Sequence, residues 1–283
     1  MDYESVFVEA PWLHSNLANN AVKVLYTRLA DIKTGAIEPT HSAIIPNARL
    51  FDFENTFADK QSRFPHTRPS TEQMSQELQR LGIRNTDYLV VYDSKGLYSV
   101  ARAYWMLRAI GHQKVSILRG GLPEWKACGY AVLNKLDVEP KLSEYRVTPQ
   151  PDYFVDTDYV LSVIGDKNTL ILDARAQGRF EGTEPEPRVG LRSGHIPGSK
   201  NLPFTNIIAN GRLVDKTHLN ELFNALAPNK SKHLVMSCGS GVTACILALA
   251  ATTCGYSKVS VYDGSWSEWG SLHHLPIEQG ASR

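Results

Sequence analysis

Cysteine is scarce in this chain: 283 residues hold four, Cys128, Cys238, Cys245 and Cys254. That is too sparse for a disulfide-stapled scaffold. No CxxC or HxxxH spacing occurs, so the common structural zinc patterns are missing and no metal site is expected. Excess charge of either sign is missing too, with Lys+Arg 30 against Asp+Glu 29 and a formal net charge of +1. This balance gives no reason to expect nucleic acid or an anionic membrane as partner. Long apolar runs are absent; the strongest, residues 242–251, covers about half a membrane span. The opening MDYESVFVEAPWL is acidic and has no basic segment followed by an apolar one, so no secretory signal is expected. The expectation is a soluble protein of a reducing compartment. The cytoplasm is the default, with a mitochondrial form left open, and the thiols are free. Hydrophobic residues at 42% and charged residues at 21% describe an ordinary folded chain.

What the chain does have is an internal repeat. Lys114-Val115-Ser116-Ile117 recurs as Lys258-Val259-Ser260-Val261. Gly111, Gly120 and Glu124-Trp125 recur at the same offset as Gly255, Gly264 and Glu268-Trp269. A period of about half the length means two copies of one domain rather than a solenoid. Each copy alternates short apolar runs with helical stretches. Residues 22–26, 88–92 and 115–118 read as strands in the first copy, with a helix over 97–110. Residues 169–172, 234–236 and 259–262 match them in the second, with a helix over 241–253 ended by Gly255. Alternation of this kind predicts an α/β fold: two tandem domains, each a parallel sheet flanked by helices. The polar, proline-bearing stretch 138–152 reads as a linker between domains at 1–137 and 153–283.

Chemistry concentrates in Ser237-Cys238-Gly239-Ser240-Gly241-Val242-Thr243-Ala244, between a strand and a helix. Two glycines let successive amide N–H groups turn inward as an anion-binding nest, reinforced by the helix start. Cys238 sits at the rim of that nest, where a thiolate or a persulfide anion is favoured. The other three cysteines read as packing residues. Aligning Gly96 with Gly241 puts Asp93 in the first copy where the second has Cys238, which marks one inactive and one active domain. The loop also excludes a cysteine phosphatase, which needs an arginine six positions after the nucleophile to bind phosphoryl oxygens; here that residue is Ala244.

The loop CGSGVTA resembles the active-site loop of the 3-mercaptopyruvate sulfurtransferases, members of the tandem rhodanese family. The likeness extends through Leu172-Asp173-Ala174-Arg175, Gly182 to Arg188 (GTEPEPR), Gly194 to Gly198 (GHIPG) and Tyr92-Asp93. It implies two rhodanese-like domains with the catalytic loop in the second, facing the cleft between them. It implies sulfur transfer through a persulfide on Cys238, with 3-mercaptopyruvate as small-molecule donor and a thiol such as thioredoxin, or cyanide, as acceptor. No cofactor is implied. In thiosulfate-using relatives Arg and Lys follow the cysteine; here Gly239 and Ser240 do, which disfavours a dianionic donor. The resemblance maps Arg179 and Arg188 onto carboxylate-binding arginines, with Gly239, Ser240, Gly241, Val242 and Thr243 lining the donor. Arg175 reads as a brace for the loop or Asp173, and His195 as structural. A relay of serine, histidine and an acid is implied as Ser240, His66 and, in Phe51-Asp52-Phe53-Glu54, Glu54 where the family has aspartate. Two alternatives stand beside this reading: a thiosulfate:cyanide sulfurtransferase, and a persulfide carrier or regulatory module that turns over no small donor.

Overall fold

The computed structural model describes residues 6–30, 34, 36–37 and 43–281. Residues 1–5, the start of the stretch read for a signal, lie outside the described residues. The first half builds β1 (Phe7–Val8), α1 (Ala10–Asn16), β2 (Val22–Arg28), β3 (Ala48–Asp52), α2 (Thr71–Arg80), β4 (Tyr88–Asp93), α3 (Val100–Ala109), β5 (Val115–Leu118) and α4 (Gly121–Ala127). The second builds β6 (Phe154–Val155), α5 (Thr157–Ser162), β7 (Thr169–Asp173), α6 (Gln177–Glu181), β8 (Lys200–Asn201), β9 (Ile208–Ala209), β10 (Arg212–Leu213), α7 (Lys216–Leu226), β11 (His233–Ser237), α8 (Ala244–Thr253), β12 (Val259–Tyr262) and α9 (Ser265–Trp269).

The two main sheets have the same order, β1-β5-β4-β2-β3 and β6-β12-β11-β7-β8, and every pairing in them is parallel. Central strands such as β4 (YLVVYD) are apolar almost throughout because helices cover both faces. On one face of the first sheet α1 and α4 contribute Ala10, Leu13, Leu122 and Trp125 to a core of their own. The other face meets α2 and α3, and this core runs on without a break into α7 and α8 of the second half. Helix α8 is therefore apolar all round, with nine of its ten residues buried, because sheet and neighbouring domain both press on it. Caps define other helix starts: Ser70 Oγ accepts from the Gln73 N–H ahead of α2, and Asp215 from the His218 N–H ahead of α7.

The structure corrects both helix starts read from the sequence. They fall at Val100 and Ala244, not near residues 97 and 241. Gly96 and Gly241 lie at φ 99° and 75°, outside helical space, so three further residues in each copy belong to the preceding loop. The short edge strands β1, β6 and β8 were not legible, since two residues carry no periodicity. Residues 138–150 form no regular element, but they are not a free tether. Tyr145 is buried and its hydroxyl meets His112 Nδ1 at 2.9 Å, while Ser143 Oγ donates to the Ile83 carbonyl at 2.6 Å.

Leu247 is fully buried in α8 within the core shared by the two halves. Leu247→Ala should lower unfolding free energy by about 2–5 kcal/mol, read by urea denaturation. A loss below about 1 kcal/mol would show that the shared core is loosely packed there.

Candidate active site

Pairing registers fix the equivalence of the two loops. Val91 faces Ile117 in the first sheet and Met236 faces Val261 in the second. Continuing each strand by two residues puts Asp93 at the position of Cys238. In the first copy the Asp93 carboxylate, fully buried, accepts the N–H groups of Lys95 (2.9 Å), Tyr98 (2.8 Å) and Val100 (3.1 Å). Burial pushes its pKa up, against the pull of those donors. The loop of the first copy is thus a nest already filled by its own anion.

In the second copy no such carboxylate is present. Among the described residues, the amide N–H groups of Gly239, Ser240, Gly241, Val242 and Thr243 have no acceptor. Five unpaired donors beside a helix start are a seat for negative charge. The loop is held from behind. The Cys238 N–H donates to Ser265 Oγ at 3.1 Å, and the Trp266 and Ser267 N–H groups donate to the Cys238 and Gly239 carbonyls. These bonds draw Cys238 inward, so it is 1% exposed rather than at the rim. Ser240 and Val242 are buried as well, and Thr243 half-buried. Gly241 has no room for a side chain, because a Cβ would lie 2.6 Å from the Asp263 carbonyl oxygen.

Two guanidinium groups flank Gly239. A Cβ there would stand 3.2 Å from Arg179 Nη2 and 3.6 Å from Arg188 Nη1. Arg179 is oriented by Glu186, donating from Nε at 3.2 Å and from Nη2 at 2.5 Å. Arg188 Nη1 is buried with no hydrogen-bond partner among the described residues. Burial lowers the pKa of Arg188, and the neighbouring Cys238 sulfur acts to raise it. An unpaired buried donor of this kind calls for an anionic ligand. Arg175 does brace: it bonds Asp173, Glu186 and the Gly194 carbonyl and stacks on Trp266. His195 is buried against Phe180, with Nδ1 2.8 Å from its carbonyl.

The first domain reaches the same loop. His66 Nδ1 lies 3.0 Å from Ser240 Oγ, and His66 Nε2 lies 3.5 Å from Glu54 Oε1. Glu54 also accepts the Ala30 N–H at 3.0 Å. A carboxylate can only accept, so it selects the imidazole with hydrogen on Nε2 and leaves Nδ1 to accept from the serine. The hydrogen bond from His66 holds the Glu54 carboxyl down to about 2, with the Ala30 N–H adding to it and burial opposing. The residues brought together are therefore Cys238, Ser240, His66, Glu54, Arg179 and Arg188. Sequence reasoning missed the parts played by Arg102, Glu186, Asp263 and Ser265; Glu186 lies inside EPEPR, and Asp263 and Ser265 lie in the family-like stretch Tyr262 to Trp269, whereas Arg102 lies in no such motif. Among the described residues no cluster fits a metal ion. A cavity of about 1180 Å³, bounded by Trp105, Phe154, Tyr159, Lys258 and Asp263, does not include Cys238.

A duplicated parallel α/β scaffold with one buried thiol in an open anion nest defines a class of single-cysteine transfer site. The chain belongs to the rhodanese family: the rhodanese-like domain matches residues 9–128 and again 156–272. It is 36% identical to the 3-mercaptopyruvate sulfurtransferase of Escherichia coli (strain K12), over 96% of this chain and 97% of that protein. It is 38% identical to the mitochondrial thiosulfate/3-mercaptopyruvate sulfurtransferase 1 of Arabidopsis thaliana, over 96% and 77% respectively. The crystal structure of the Escherichia coli 3-mercaptopyruvate sulfotransferase SseA superposes with a TM-score of 0.82 at 33% identity, covering 92% of this chain and 98% of that one.

Because the Glu54 carboxyl is depressed from 4.5 to about 2, it stabilises the fold above its unfolded pKa. That contribution is lost as pH falls from about 4.5 toward 2. Glu54→Gln should therefore flatten the loss of stability over that window, read by thermal melting at stepped pH. An identical acid slope in the variant would show that the His66 contact does not hold in solution.

Proposed function

We propose that this protein is a sulfurtransferase that moves sulfur from 3-mercaptopyruvate to a thiol acceptor through a persulfide on Cys238. The observation that carries this reading is the pair of equivalent loops. One nest is filled by the Asp93 carboxylate, and the other stands open beside a thiol and an unpaired arginine donor. A persulfide anion on Cys238 would take the charge position that Asp93 holds in the first copy.

Arg188 and the free edge of Arg179 hold the donor's carboxylate, a planar fork meeting a planar anion. The Cys238 thiolate attacks the donor sulfur; an S–S bond forms and the C–S bond breaks. The electron pair leaves on carbon as the enolate of pyruvate. The proton of the donor thiol passes by way of Ser240 Oγ and His66 Nδ1 to the enolate carbon, with Glu54 keeping the imidazole in the accepting tautomer. A thiol such as reduced thioredoxin, or cyanide, then attacks the outer sulfur and releases Cys238 thiolate. This is covalent catalysis with two half-reactions. These steps call for no metal or organic cofactor.

The Gly239 environment supports a monoanionic donor. An arginine at 239 would push its charge against two guanidinium groups already within contact of that position. Thiosulfate is the second reading, favoured by 39% identity over 84% of this chain to the thiosulfate sulfurtransferase of Cricetulus griseus. Four free thiols suit a reducing compartment, the cytoplasm by default. No described helix is long and apolar enough to cross a membrane.

Donor-treated protein should gain one sulfur by intact-mass spectrometry, and Cys238→Ser should gain none. Uptake that persists in the variant would remove Cys238 from the reaction. Arg188→Ala should lower kcat/KM for 3-mercaptopyruvate by about 100-fold while Cys238 still reacts with iodoacetamide. Unchanged kinetics would take Arg188 out of the donor site, and a kcat/KM favouring thiosulfate would move the second reading to first.

A further inference from the structure

Arg102 is a cation in the first turn of α3, in the first domain, and it is fully buried. Its Nη2 donates to Asp263 Oδ1 at 2.5 Å, across the domain boundary, and to the His66 carbonyl at 2.9 Å. Its Nη1 donates to the Gly241 carbonyl, within the Cys238 loop, at 3.3 Å. One planar group thus holds a point on each of the two loops that must meet. Asp263 works alongside it: Oδ2 accepts the Arg68 N–H at 3.1 Å, two residues beyond His66. His66 itself sits at φ 60°, a conformation that non-glycine residues adopt only when their surroundings hold them there. The bonds at 66 and 68 are such a hold. On the other loop, Gly241 Cα packs so closely on the Asp263 carbonyl that no Cβ fits.

We infer that Arg102 is a positioning residue, which sets His66 Nδ1 against Ser240 Oγ by gripping the backbone of both loops and so governs the proton-transfer step. The inference rests on the sulfurtransferase reading. Lysine cannot replace arginine here, because a single ammonium on a flexible stem does not reach acceptors that the separate Nη1 and Nη2 groups meet on two loops. Arg102 does not face the donor's carboxylate, so its loss falls on turnover and not on donor binding. Its effect also passes through His66, so it has no effect once the imidazole is gone.

The test uses the full chain with 3-mercaptopyruvate as donor and a small dithiol as acceptor. It compares wild type, Arg102→Lys, Arg102→Gln, His66→Gln and the two double variants, each confirmed folded by thermal melting. Arg102→Lys should lower kcat about tenfold or more, with KM within about twofold of wild type. Arg102→Lys with His66→Gln should stay within about threefold of His66→Gln alone. Arg102→Gln, which leaves Asp263 with Arg68 at 3.8 Å as its cation, gives the same comparison should the lysine variant fail to fold. Losses that multiply in the double variants, a loss confined to KM, or unchanged kcat would each overturn the inference. A second readout does not need turnover. The His66 imidazole nitrogen signals in Arg102→Lys should shift as they do in Ser240→Ala, and wild-type signals would overturn the inference. Wild-type protein that turns over no donor would sink the sulfurtransferase reading instead, leaving the imidazole signals to decide on Arg102.

Discussion

A charge buried at the domain boundary is the constraint on which the arrangement depends. Arg102 is out of water altogether, and its guanidinium meets the Asp263 carboxylate of the other half. Burial acts against its charge, and Asp263 offsets this so that its pKa is raised. Buried ion pairs contribute little net stability compared with an apolar contact, but a broken one is costly. The pair therefore penalises any docking of the two halves other than the one that keeps it. Apolar contact between α3 and α8 would tolerate sliding; three fixed acceptors around one guanidinium would not. The Cys238 loop and the loop bearing His66 inherit their mutual register from that requirement.

The duplicated scaffold shows how little separates a filled nest from an open one. The two sheets share strand order and registers, and both loops leave a strand, turn at a glycine and enter a buried helix. In the first copy the chain supplies its own anion, and Asp93 satisfies the nest permanently. In the second, the Cys238 side chain stands at the same position and the donors remain open. The energetic cost of keeping backbone N–H groups unpaired is what makes that loop receptive to charge delivered by a reaction. Glu186 plays a similar part at one remove. It accepts from Arg175 and Arg179 together, so one arginine braces the loop while the other is turned toward Gly239.

Local features were open to direct reading. The β4, β5, β11 and β12 strands are apolar runs, the repeat offset located their partners, and the glycines after Cys238 announced a turn. Those signals lie within a few residues of one another, where periodicity and backbone preference act. The same locality explains the misplaced helix starts, since the apolar run shows where α8 packs but not that Gly241 takes a positive φ in the loop before it.

The amino-acid sequence by itself determined a duplicated α/β chain, one thiol in a glycine loop, and a candidate set of arginines. Tertiary structure alone decided which distant groups meet. Ser240 and His66 are 174 residues apart, and the family resemblance implied that they act together with Glu54, but only the docked domains set the imidazole 3.0 Å from the hydroxyl with Glu54 behind it. Nothing in the neighbourhood of Arg102 marks it, in a chain with 30 basic residues, as a cation that crosses the domain boundary to hold both loops. The reason is physical: such contacts are selected by the docking of two complete domains, and their energy depends on burial that no short stretch of chain can provide.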